Sequence, residues 1–188
     1  EVLNLFSNVV LVIPTLPLVI VILADVKARG LLPLIVIIAL TSWAAAARVL
    51  RAQTLSVRNR EYVLAARASG ERAWRIVFVE ILPNELPIIV SNFIFAMIFA
   101  ILTQAALAFI GLGDPTLLTW GNMINIAYNG EALSVGAWWW FIPPGLCIAL
   151  LGMGLALINF SLDEVLNPRL RVYRAARRGR VRRPGSAA

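Results

Sequence analysis

The sequence predicts an all-α fold, a polytopic transmembrane helical bundle with a charged loop between its second and third spans. Three observations point there. Of the 188 residues, 60% are hydrophobic and the mean hydropathy is +0.82, whereas soluble domains are about 45–50% apolar. Four long runs carry no charged residue at all, each long enough to approach the ~20 residues that cross a bilayer as a helix. The basic residues gather at the ends of those runs rather than spreading evenly.

Taken in order, Val2 to Ala24 is uncharged and suits one spanning helix, kinked at Pro14 and Pro17, since neighbouring helices can accommodate such kinks. A short connector with Lys27 and Arg29 leads to the second run, Leu31 to Ala47, whose four terminal alanines permit close helix contact. The third run, Leu86 to Gly113, is long enough to cross with tilt. Asp114 to Glu131 is a mixed segment of turn formers without lysine or arginine, and the fourth run extends from Ala132 to Leu162. Spans are therefore expected near 5–24, 31–50, 86–111 and 137–161, with a loop over 52–85, a second loop over 112–136 and a basic tail over 169–188. The chain begins at Glu1 without a leader pattern, and its start reads as truncated.

Charge decides orientation. Placing 52–85 in the cytoplasm puts every basic residue except Lys27 and Arg29 on that side, the tail included. The positive-inside rule selects this arrangement, which leaves Trp138, Trp139 and Trp140 at the outer interface that amphipathic rings prefer. The net charge of +7 therefore belongs to topology and anionic headgroups. No aromatic interleaving or nucleic-acid motif accompanies it, so nucleic acid is not expected as a partner.

The stretch Glu61 to Pro87 organises the rest. Its helical periodicity places Tyr62, Val63, Ala66 and Ser69 near one face and turns Arg67 away. Gly70 interrupts the pattern where a left-handed residue can end a helix. A second short amphipathic run, Trp74 to Leu82, is expected to stop before Pro83. Glu61, Glu71, Glu80 and Glu85 are explained by a solvated charged face. No catalytic group is expected: histidine is absent, and no glycine-rich phosphate loop occurs. Nor are a cofactor or a metal expected. The single cysteine, Cys147, lies in an apolar run as a small packing residue.

The stretch resembles the cytoplasmic loop of permeases of ATP-binding-cassette importers, whose motif is E-A-A, three residues, G, nine residues, I-x-L-P. Here the alanines are Ala65 and Ala66, the glycine is Gly70 and the closing pair is Leu82-Pro83, while Leu64 and Glu80 stand in the glutamate and isoleucine slots. EYVLAARASG, AALAFIGLGDP, TWGNM and LDEVLNPRLR extend the likeness to the C-type subunits of the dipeptide, oligopeptide and nickel branch, with an acidic residue at the place of Glu61.

The resemblance implies a multi-pass inner-membrane subunit with four of about six spans present and a cytoplasmic C-terminus. It implies docking of the loop, through helices at 58–83, on cytoplasmic ABC ATPase subunits. A second homologous permease subunit and an extracytoplasmic solute-binding protein would complete the importer, and the cargo would be peptides or oligosaccharides, with nickel in the same branch. The segment GDPTLLTWGNM, from Gly113 to Met123, would face the binding protein, a plain connector being the alternative. Glu61, Ala65, Ala66, Gly70, Leu82 and Pro83 are the coupling candidates. Asn92 and Gln104 are candidates for the translocation path, although their spacing sets them roughly 120° apart on one helix. The rival classes are an ATPase-independent channel or secondary transporter, and a membrane scaffold.

Overall fold

The computed structural model describes residues 2–25 and 30–166; the connector with Lys27 and Arg29 and the tail over 169–188 lie outside the described residues. Helices make up all the regular structure among them: α1 (Val2–Val12), α2 (Thr15–Asp25), α3 (Leu31–Val57), α4 (Glu61–Ala68), α5 (Ala73–Arg75) running into a π-helical turn (Ile76–Ile81), α6 (Leu82–Phe109), α7 (Trp120–Asn129) and α8 (Trp138–Leu166). Among the described residues three helices are long and apolar enough to cross a membrane, Leu31–Val57, Ala73–Phe109 and Trp138–Leu162, or four if α1 and α2 count as one broken span.

The first run is not one kinked helix. Leu5–Val12 and Thr15–Asp25 meet at 84°. Pro14 lacks an amide donor and disfavours the helical region for Ile13. Its carbonyl opens α2 by accepting from the Leu18 amide at 3.2 Å. Pro17 falls in the first turn of α2, where a missing donor breaks no internal bond. The sequence shows both prolines but not the angle, which depends on what α1 rests against. Phe6 stacks on Trp43 with centroids 6.0 Å apart, and Arg48 donates to Asn8 Oδ1 at 2.8 Å.

Val19, Leu34, Ile37, Ile38 and Leu107 form a buried cluster that joins α2, α3 and α6. Of the four alanines, Ala44 is the one fully buried. Elsewhere α3 and α6 expose leucine, phenylalanine and isoleucine, as surfaces facing lipid or other spans must.

The expectation that the second loop helix stops before Pro83 is wrong. Ala73–Phe109 is one continuous helical rod of 37 residues, about 55 Å long at 1.5 Å per residue. A hydrocarbon core is about 30 Å thick, so the rod projects well beyond it. The helix survives Pro83 because the preceding turn widens: the Leu82 amide bonds the Val77 carbonyl, five residues back. Such π turns relieve the clash between a proline ring and the carbonyl ahead of it. Asn84 Nδ2 also donates to the Glu80 carbonyl at 2.7 Å.

The segment 112–136 is more than a connector, because it folds into α7, which packs on both α6 and α8. Thr119 caps it by accepting from the Asn122 amide at 3.2 Å. The nearly buried Asn122 side chain donates to the carbonyls of Asp114 and Leu117, each at 2.7 Å. Gly121 lies so close to α6 that a β-carbon there would come within 2.5 Å of the Ala105 carbonyl oxygen. Ala127, Ala132 and Ala137, with Phe141 against them, close the junction to α8.

Candidate coupling surface

Between α3 and α6 the chain forms a compact hairpin of helices. Its entry is a tight turn in which the Arg60 amide bonds the Val57 carbonyl at 2.9 Å. Arg60 is extended and precedes the first residue of α4. Glu61 opens the helix and Arg67 occupies its last turn, each placed favourably for the helix dipole. The helix ends in a Schellman arrangement: the Gly70 amide bonds the Arg67 carbonyl at 3.0 Å and the Glu71 amide bonds the Ala66 carbonyl at 3.2 Å. Gly70 has φ +76°, a conformation that costs an L-residue with a side chain about 1–2 kcal/mol. The sequence pattern locates this turn and the structure supplies its reason.

What holds the hairpin is a small core of Val57, Val63, Ile76 and Ile81, with Ala66 packed against it. Each fully buried aliphatic side chain contributes roughly 1.5–3 kcal/mol, enough to fold α4 back onto the π turn. Glu71 and Arg75 pair at 3.4 Å, the arginine exposed and the glutamate half-buried, a contact that a solvated partner keeps weak.

The six coupling candidates therefore separate. Ala66 faces inward to the hairpin core, so Ala65 and Ala66 do not share an outward small-residue face. Ala65, Glu61 and Gly70 are exposed, Leu82 is half-buried, and Pro83 is exposed on the continuous helix. The outward surface carries large apolar groups that the sequence reading passed over: Leu64, Trp74, Val77 and Phe78, the last 61% exposed. Leu64 had its signal, an apolar residue in a slot the related motif fills with glutamate.

Glu85 departs from its expected place. It belongs to no solvated face: it is 5% exposed, and its Oε2 lies 3.0 Å from the Thr54 hydroxyl.

The two path candidates line different cavities. Asn92, whose side-chain amide donates to the Ile88 carbonyl at 2.8 Å, borders a cavity of about 280 Å³ together with Thr15, Thr41 and Ser42. Gln104 borders a larger, mostly apolar cavity of about 550 Å³ between α3 and α6, together with Trp120. Ser42 lines both.

With this geometry in view, residues 1–172 match the family described as the binding-protein-dependent transport system inner membrane component. The chain belongs to that family. Among its relatives is the oligopeptide transport system permease protein OppC of Bacillus subtilis, 32% identical over 91% of this chain and 55% of OppC. A protein named as a peptide permease in Brucella ovis is 36% identical over 82% of this chain and 52% of its own length. A peptide transport system permease protein of Brucella suis is 40% identical over 73% of this chain and 46% of its own. The chain spans about half the length of the curated relatives it matches. Family membership, together with three helices long and apolar enough to cross a bilayer, makes it a multi-pass membrane protein.

Proposed function

We propose that the chain is the membrane-spanning part of a permease subunit in an ATP-driven, binding-protein-dependent peptide importer. The hairpin over 58–81 is the surface on which a cytoplasmic ATPase subunit docks. One observation carries the reading: the hairpin has its own apolar core, presents Leu64, Ala65, Trp74 and Phe78 outward, and continues without a break into α6. A push on such a surface travels along a rod rather than dissipating in a loop. Peptides are favoured over oligosaccharides or nickel because the relatives named above carry peptide and oligopeptide names.

The remaining parts follow from the same reading. The positive-inside bias puts the hairpin and the C-terminus in the cytoplasm. ATP hydrolysis belongs to the partner, since the chain has no phosphate-binding glycine loop of its own. A second permease subunit completes the path, and a solute-binding protein meets the side bearing α7.

The test is co-purification of the complete importer with its ATPase subunits. Leu64→Asp and Ala65→Asp are compared with Leu118→Asp, an exposed change in the loop before α7, membrane insertion being checked for each. Docking predicts loss of the ATPase from the first two and retention by the third. Full retention by all three, or a native complex that never holds an ATPase, overturns it in favour of a channel or scaffold.

A further inference from the structure

The carboxyl group of Glu85 is buried where α3 and α6 meet. Its Oε2 accepts from Thr54 Oγ1 at 3.0 Å, across 31 positions of sequence, while its Oε1 is buried without a hydrogen-bond partner. Thr54 sits one turn before the end of α3, and Glu85 lies in the first turn of α6. The contact therefore closes the base of the hairpin, beneath the core of Val57, Val63, Ile76 and Ile81. Burying a carboxyl group with one of its two oxygens unmet is unfavourable, and replacing a buried charged group by an apolar side chain of similar size is often neutral or stabilising.

The donor is shared. Thr54 Oγ1 also lies 2.9 Å from the Leu50 carbonyl, within its own helix, and a hydroxyl has one proton to give. The proton can thus serve α3 alone or tie α3 to α6. When the helices separate, Thr54 keeps a partner at Leu50, so opening strands no donor on α3. The donor thus has two satisfied arrangements, while the carboxyl group has a partner in the closed one only, so the contact biases the junction toward closure without locking it.

We infer that Thr54 and Glu85 are a positioning pair, a releasable clasp through which displacement of the hairpin reaches α3 and α6 together. The inference rests on the docking reading above and adds how the docked motion enters the spans. Without the clasp the turn over Arg58–Arg60 absorbs the motion, and α6 moves without α3. A hydrogen bond to a buried carboxylate shifts an equilibrium about tenfold or more, so its loss is large enough to measure.

The experiment uses the complete importer in vesicles, with Cys147 and any other native cysteine changed to serine and Ala100→Cys as the reporter in the cavity between α3 and α6. Labelling of that cysteine by a membrane-impermeant maleimide is timed without nucleotide and with ATP plus vanadate. In the parent protein the two rates differ. Thr54→Val and Glu85→Leu, both chosen to fill their sites, are expected to keep the ATPase bound yet lose about tenfold of that difference, the double variant being no worse than either alone. Glu85→Gln, which retains an acceptor, restores most of it. A purely structural role predicts the full rate difference in Glu85→Leu, and that result overturns the clasp. So does a parent whose labelling ignores ATP while the ATPase is bound. If Glu85→Leu fails to insert, Thr54→Val decides. A parent that retains no ATPase sinks the docking reading itself, and that failure is visible in the pull-down before any labelling.

Discussion

Replacing Gly121 with alanine tests the packing of α7 on α6. A β-carbon at this position would meet the Ala105 carbonyl oxygen at 2.5 Å, the Ala108 β-carbon at 2.8 Å and the Ala105 α-carbon at 2.9 Å. Comfortable carbon contacts lie near 3.5–4.0 Å, so α7 must lift by roughly 1 Å. Two of the three atoms belong to backbone inside a helix and cannot swing aside. Overpacking of this kind costs about 1–3 kcal/mol, which lowers the melting temperature of the complete permease by several degrees. Gly152→Ala in α8 is the control, because a β-carbon there meets nothing within 4 Å and alanine is the better helix former. The assay is thermal unfolding of the purified complete permease, followed by tryptophan fluorescence. An unchanged melting temperature for Gly121→Ala, or an equal drop for Gly152→Ala, would refute the close approach.

Gly70→Asn should be tolerated better than Gly70→Val, since space around Gly70 is open and only its positive φ is at issue; protease sensitivity of the hairpin orders the two. Asp114 offers a pH dependence. Its carboxyl is held below the ordinary carboxylate range, first by the Thr116 hydroxyl and then by the Thr116 amide, against a small opposing effect of burial. A lowered acid stabilises the loop fully above the ordinary carboxylate range, and that contribution is lost as the pH falls through its lowered value. Hydrogen exchange across 114–118, corrected for intrinsic rates, should lose protection in acid, and Asp114→Asn should remove that pH dependence. Ala66→Asp is expected to unfold the hairpin rather than merely block docking, because Ala66 packs against the hairpin core; circular dichroism and protease sensitivity of the inserted protein distinguish the two.

The helical class was legible because an uncharged run of spanning length has few alternatives in lipid, where every backbone group must bond within its own segment. Gly70 was legible for a local reason: an αL turn leaves its mark at one position. What escaped depends on partners distant in sequence. Glu85 looks like any other charge in a polar loop until Thr54 is placed beside it. Gly121 looks like a turn glycine until α6 is laid against it. Pro83 suggested a helix end, and the π turn that carries the helix past it leaves no compositional trace in IVFVEI. Ala66 was legible only in part: periodicity sets it beside Val63 on one face of α4, but only the folded hairpin shows that this face meets Val57 and Ile76 and so takes Ala66 away from a docking partner.

The most direct test of docking is a cross-link from the hairpin's outer face. Cys147, the single cysteine of these 188 residues, and any cysteine elsewhere in the importer are first changed to serine, and Ala65→Cys is introduced at an exposed position of α4. The complete importer is then treated in native membranes with a short thiol-to-amine cross-linker. A hairpin that carries the ATPase gives an adduct between Ala65→Cys and that subunit, absent when cysteine is placed instead at Leu118. Efficient labelling of Ala65→Cys by a soluble thiol reagent, with no adduct to any ATPase subunit, contradicts docking at this surface.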